Sequence, residues 1–239
     1  MYINGESRKE DFVKYLNGKN YKDLIPNMKR FIKFMFPCIE DNTPIKCKYI
    51  NNGKVDIEIV CMGILKRIMI KSGVNSLLHV ENIHSFVNYL RKVNVSKEIC
   101  DLFLFYHFGD GTIDGLGKKR YCGNEIRLVY EDEIEVINRA INQDNVMELL
   151  LERILCYDYY QKKIHYLYYG NLLSGLYIEM DKLKQLIKNK KDLFFQCVHV
   201  GKIHLCNMNR NVNFDAKAEV SRNNCGCKIN NLYSFLFSK

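Results

Sequence analysis

No stretch of this chain approaches the roughly 18 consecutive apolar residues that a membrane span requires. Its first residues, Met1-Tyr2-Ile3-Asn4-Gly5-Glu6, form no apolar leader. The expectation is a cytoplasmic protein with no membrane partner. Proline occurs only three times, and no run of Pro, Gly or Ser divides the chain. Residues 1–239 therefore read as a single domain, and no segment repeats. Ten cysteines are present, all standing singly except Cys225-Gly226-Cys227. That scatter fits reduced thiols rather than a disulfide framework. Cys197, His199, His204 and Cys206 match no standard zinc spacing, and each fits a strand position. The glycine-rich run from Gly109 to Gly117 lacks the lysine and hydroxyl placement of a phosphate-binding P-loop.

Hydrophobic residues make up 47% of the chain, enough for a large core. Lys and Arg number 36 against 27 Asp and Glu, a formal charge of +9. That balance suits a polyanionic partner such as nucleic acid, and it also fits a basic soluble protein with no such partner.

Residues 7–36 read as N-terminal helices. Ser7 and Glu10 have capping-box spacing, and Phe12, Tyr15 and Leu16 fall on one face. Pro26 opens a second helix carrying Met28, Phe31, Ile32 and Met35. Residues of about 45–75 read as a β meander, with alternation over 45–50 and 55–61, a turn at Asn51-Asn52-Gly53, and a strand over 64–71. Residues of about 80–160 read as mainly helical: 80–92, 97–107, and acidic amphipathic helices over 131–156. The remainder, about 164–239, reads as strand-rich. It has a tyrosine-rich strand at 164–169, a basic helix at 179–189, and strands or strand-like tail over 194–206, 212–220 and 227–237. The order implies an α/β fold with a mixed central sheet flanked by helices.

The most informative stretch is Lys54 to Gly73, two strands joined by a turn at Met62-Gly63. Asp56 and Glu58 are two apart and share one face of the first strand. Lys71 closes the second strand, beside the end that carries Asp56. Lys66 is mid-strand and faces the other way. A carboxylate and an ammonium so placed can hold a divalent metal and an attacking water.

This hairpin resembles the core of PD-(D/E)XK type II restriction endonucleases. Lys71-Ser72-Gly73-Val74-Asn75-Ser76, followed by His79-Val80-Glu81-Asn82, resembles the segment after the catalytic lysine in a subgroup that includes cutters of short CG-containing tetranucleotides. Tyr106 to Thr112 and Tyr168-Tyr169-Gly170-Asn171 resemble further blocks. So does the series Val200-Gly201-Lys202-Ile203, Asn209-Arg210 and Ser221-Arg222. The blocks run in order over residues of about 10–237. One position departs from the pattern: two residues before the lysine, where the family has an acid or an amide, stands Met69.

The resemblance implies a Mg²⁺-dependent endonuclease, with Mn²⁺ substituting, that cuts both strands of a short specific duplex site and leaves 5′-phosphate and 3′-hydroxyl ends. Asp56 would be the metal ligand, with the Ile70 carbonyl beside it. Lys71 would hold the water and neutralise transition-state charge. With Met69 in place of an acid, the second ligand would come from Glu58, from Glu10 on the first helix, or from Glu81. Ser72, Asn75, Ser76, His79, Glu81 and Asn82 would face DNA, and Asn82 could instead be a helix N-terminal residue. Arg210 and Arg222 would fork onto guanine or phosphate, or be merely solvated. Lys118, Lys119 and Arg120 would touch phosphates. Tyr157, Tyr159, Tyr160, Tyr166, Tyr168 and Tyr169 read as packing rather than as base stacking.

The implied partners are double-stranded DNA and, functionally, a host methyltransferase protecting the same site. A homodimer is the usual route to two cuts in a palindrome. Three rivals remain. One is a repair or nicking nuclease of the same fold. Another is a catalytically inactive nuclease fold kept for DNA binding, which Met69 suggests. The third is a basic viral protein whose charge aids assembly.

Overall fold

The computed structural model describes residues 5–51, 53–72, 77–158, 160–189, 196–208 and 220–237. Asn75, Ser76, Arg210, Tyr159, the Ser7 side chain and all but the last residue of the strand expected over 212–220 lie outside the described residues and side chains.

In chain order the elements are α1 (Gly5–Leu16), α2 (Pro26–Met35), β1 (Lys46–Tyr49), β2 (Ile57–Cys61), β3 (Ile64–Lys71), β4 (Leu77–Asn82), α3 (Ile83–Lys92), α4 (Lys97–Phe108), α5 (Glu125–Val129), α6 (Glu131–Ile141) and α7 (Asp144–Leu151). A π-helical turn at Glu152–Cys156 follows. Then come β5 (Tyr166–Gly170), β6 (Gly175–Glu179), α8 (Met180–Lys188), β7 (His199–Val200), β8 (Ile203–Asn207), β9 (Asn224–Lys228) and α9 (Leu232–Phe237). The length reads as one domain, whereas the contacts gather in two compact units. The first is Met1–Ser76, Leu155–Lys184 and Asn231–Lys239; the second is Leu77–Ile154 and Gln185–Asn230.

The first unit is built on a five-stranded mixed sheet in the order β1-β2-β3-β5-β6. Only β3 and β5 run parallel; the other neighbours are antiparallel. The β2–β3 hairpin turns on Met62 and Gly63, with φ of 52° and 75°. Two successive positive φ values are the signature of the turn whose twist matches a hairpin, and Gly63 takes its place without a Cβ penalty. Ile57, Ile59, Ile68 and Ile70 point to one face and are buried with Phe12 and Leu16 of α1 and Phe31 and Ile32 of α2. Pro26 opens α2 as its first helical residue. Tyr168 stands at the centre of this core, its ring 5.1 Å from Phe12 and 4.7 Å from Phe31. Its hydroxyl accepts from Asn27 at 2.8 Å and donates to the Asn171 carbonyl at 2.6 Å. The opposite face of β2 and β3 carries Glu58, Arg67, Met69 and Lys71.

The second unit holds a four-stranded antiparallel sheet, β4-β9-β8-β7, with α3 packed on α4 and α4 on α6. The helix expected from residue 80 begins at Ile83. The strand before it continues to Asn82, whose Oδ1 accepts from the His84 and Ser85 N–H groups at 2.9 and 3.4 Å. Asn82 is thus a helix cap. The strand-like tail expected over 227–237 is β9 only as far as Lys228, and residues 232–237 are helical.

Glu81, on β4, is almost fully buried. His79 Nε2 lies 2.9 Å from its Oε1, and Arg153 donates to both oxygens at 3.1 and 2.5 Å. Burial pushes the carboxyl up, but these two partners outweigh it and hold the pKa at about 2, below its ordinary 4.5. A depressed carboxylate contributes stability that is present above its unfolded pKa and lost as pH falls through the folded one. The second unit should therefore lose on the order of 3 kcal/mol between about pH 4.5 and pH 2 from this group alone. Glu81→Gln should cost about that much at neutral pH and much less near pH 2, as read by urea denaturation at both pH values. A cost unchanged with pH would contradict the assignment.

Candidate active site

Asp56 sits just before β2 and is pinned from three directions. Its N–H donates to the Ile68 carbonyl at 2.9 Å, its carbonyl accepts from Ile50 N–H at 3.0 Å, and its Oδ2 accepts from Ile70 N–H at 2.5 Å. Ile57 pairs with Ile68, so one step back along the register places Asp56 opposite Met69. Lys71 follows two residues later on the same face. The third member comes from α1. Lys9 Nζ is 2.6 Å from Asp56 Oδ1, and Asp56 is almost fully buried.

Lys71 feels both neighbours. Burial lowers its pKa, Asp56 opposes that shift, and Lys9 reinforces it. The centre is therefore a carboxylate paired with one ammonium group, Lys9, with a second, Lys71, on the same strand face.

The remaining acids lie elsewhere. Glu10 is exposed on α1 and pairs with Lys14 at 3.5 Å, so among the described side chains of α1 it is Lys9, not Glu10, that reaches Asp56. Glu58 shares the strand face, but its carboxylate is taken by Lys48 at 2.9 Å and Arg67 at 2.8 Å. These are its cross-strand partners on β1 and β3. Burial works to raise the Glu58 carboxyl, and the hydrogen bonds from Lys48 and Arg67 bring it below its ordinary value. Glu81 belongs to the His79–Arg153 cluster of the second unit.

These residues do not make a seat for a hard dication. Such ions take oxygen ligands. Asp56 supplies one carboxylate, with Oδ1 on Lys9 and Oδ2 on Ile70 N–H. The Ile70 carbonyl points the same way as its N–H and adds one oxygen. Met69, opposite Asp56, offers only a buried thioether. Among the described residues, no group of three or more His, Cys, Asp or Glu side chains is placed to hold a metal ion.

The residues expected on DNA divide into three groups. Ser72 follows β3 half-buried, and Lys118 and Lys119 are exposed, with Lys119 Nζ 5.0 Å from the Tyr121 ring. His79, Glu81 and Asn82 serve the second unit's own structure, as a buried pair and a helix cap. Arg120 is half-buried, with Nε and Nη1 turned inward.

Arg222 corrects the expectation of a DNA-contacting arginine. It is almost fully buried, and its guanidinium donates to the Gly115 carbonyl at 3.2 Å, the Phe108 carbonyl at 3.1 Å and Asp110 Oδ2 at 3.1 Å. Its own carbonyl lies 2.8 Å from His107 Nε2 and accepts from Asn207 at 3.2 Å. Two blocks of the family resemblance, at 106–112 and 221–222, therefore meet in one internal network. The His and Cys residues weighed for zinc occupy β7, β8 and the segment before them. Cys197 Sγ lies 3.1 Å from His204 Nδ1, His199 Nδ1 lies 2.9 Å from the Gly201 carbonyl, and Cys206 Sγ bonds the Gly226 carbonyl.

Lys9 is the residue that sequence reasoning missed. A signal was present: Lys9, Phe12 and Leu16 share one helical stripe, while Glu10 is turned away from it.

No family model matches the chain, and no curated protein matches it. Among solved structures, restriction endonuclease MspI in complex with its cognate DNA superposes with a TM-score of 0.56. The match covers 92% of this chain and 83% of that one at 9% identity. At that identity the likeness establishes the fold: a mixed central sheet flanked by helices, as in a restriction endonuclease.

Removing one partner of a buried ion pair leaves the other charge uncompensated, at a cost of roughly 3–5 kcal/mol. Arg222→Ala should lose about that much stability, and Lys119→Ala less than about 0.5 kcal/mol. Denaturant unfolding of both variants checks this, and an Arg222→Ala protein as stable as the parent would refute the structural role.

Proposed function

We propose that this chain is a site-specific DNA endonuclease of the restriction type, hydrolysing phosphodiesters at Asp56 and Lys71. The observation that carries the reading is the meeting of Asp56 with the end of β3, Ile70 N–H on Oδ2 at 2.5 Å and Lys71 on the same face, in a fold shared with a restriction endonuclease. The charge of +9 supports a DNA partner. In this reading Lys71 faces the scissile phosphate and neutralises charge as it builds. The PD-(D/E)XK class, the 5′-phosphate ends, the cytoplasmic setting, the homodimer and the host methyltransferase belong to the same proposal. Mg²⁺, with Mn²⁺ in its place, is the cofactor that the resemblance implies. The donor set around Asp56 does not fit it, and no step of this reading runs through a metal.

A second reading is favoured by Met69 and by Lys9 on Asp56: a nuclease fold that binds DNA without cutting it. One experiment separates the two. Unmethylated phage DNA is incubated with the protein in Mg²⁺, in Mn²⁺ and in EDTA, beside Asp56→Ala and Lys71→Ala. Endonuclease action gives discrete fragments, with cleavage reduced at least about a hundredfold in each variant. A gel shift with intact DNA under every condition supports the second reading. Neither cutting nor a shift would sink both.

A further inference from the structure

The donor set that fails a dication has a different use. Two ammonium groups and one carboxylate give the Lys9–Asp56–Lys71 centre a formal charge of +1. A dication would raise that to +3 against two fixed cations. A phosphodiester would bring it to zero. Asp56 is buried and fixed by backbone bonds, whereas Lys9 and Lys71 are only partly buried as residues. Asp56 can therefore position Lys9 while both ammonium groups keep donors free for an incoming anion, each having three. Lys48 and Arg67 are held by Glu58, as Lys9 is by Asp56; among the described residues Lys71 has no ion pair of its own and is the ammonium group left over at this end of the hairpin.

We propose that Lys9 and Lys71, held around Asp56, form a seat for one phosphodiester of duplex DNA that needs no divalent cation. Lys9 stands where the cation would otherwise neutralise the carboxylate. The seat rests on the reading of this chain as DNA-binding, but not on cleavage.

The test is fluorescence anisotropy of a labelled mixed-sequence DNA duplex, in EDTA and in Mg²⁺ across a salt series. It is accompanied by Mn²⁺ binding followed by electron paramagnetic resonance. The expected result is equal affinity with and without the cation. Lys9→Ala and Lys71→Ala each weaken binding about tenfold and lower the salt slope by about 0.9. Lys9→Arg restores binding, and Lys14→Ala, five residues along α1, changes nothing. Wild-type protein should take up no Mn²⁺ at micromolar concentrations. Lys9→Gln, which keeps the side-chain stem, serves if the alanine variant melts early. Three results overturn the seat while leaving DNA binding standing: duplex affinity that depends on Mg²⁺, a Lys9→Ala protein indistinguishable from Lys14→Ala, or micromolar Mn²⁺ uptake abolished by Asp56→Asn. No duplex binding under any condition would overturn the seat together with the reading beneath it.

Discussion

The pairing of Ile57 with Ile68 decides which side chains meet on each face of the first sheet. A shift of one residue would carry Lys71 and Met69 into the helix-covered core and turn Ile68 and Ile70 outward. That alternative is costly because Ile57, Ile59, Ile68 and Ile70 are almost fully buried against Phe12, Leu16 and Phe31. The two-residue turn at Met62 and Gly63 enforces the same register locally. Hydrophobic burial on one face therefore fixes the ionic geometry on the other. Asp56, lying just outside the ladder, is secured by its own hydrogen bonds to Ile68 and Ile70.

Much of this was legible in the chain. The alternation over 55–61 and the strand read over 64–71 located β2 and β3, and Pro26 marked the start of α2. What escaped did so for physical reasons. The first turn of α3 was read too early because Val80 continues the apolar period of Ile83, Val87 and Leu90, and only the side chain of Asn82 sets the boundary. β6 is half-buried and opens with a glycine that has no side chain to signal it; a Cβ there would lie about 2.1 Å from the Tyr168 hydroxyl. Arg222 looked solvated among asparagines, yet its partners are Asp110 and two carbonyls more than a hundred residues away in sequence, which no local pattern reveals. Asp56 and Lys71 could be named from spacing. Lys9 required knowing which face of α1 meets the sheet.

The charged groups sort by how their surroundings use them. Glu58 is the middle of a cross-strand row with Lys48 and Arg67, a satisfied arrangement that stiffens the sheet. Arg222 and Asp110 tie the glycine-rich loop to the end of α4 from within. At Asp56 the arrangement differs: Lys9 pairs with the carboxylate, while Lys71, on the same strand face, has no ion pair of its own among the described residues. That second ammonium group distinguishes this centre from the Glu58 row, where both cations are held by the acid.

The chain of the first unit is interrupted between β3 and β5 by most of the second. During synthesis β3 leaves the ribosome roughly a hundred residues ahead of its parallel partner. At about 5–20 residues per second, that is a wait of some 5–20 s. Throughout it, the hairpin bearing Asp56 and Lys71 is complete while one edge of β3 stays open and Tyr168 has yet to fill the core. A nascent or truncated chain ending before Tyr166 would thus present an unpaired, isoleucine-rich edge, the usual starting point for intermolecular strand addition. Chaperone dependence and insolubility of fragments are the costs that this order of assembly carries.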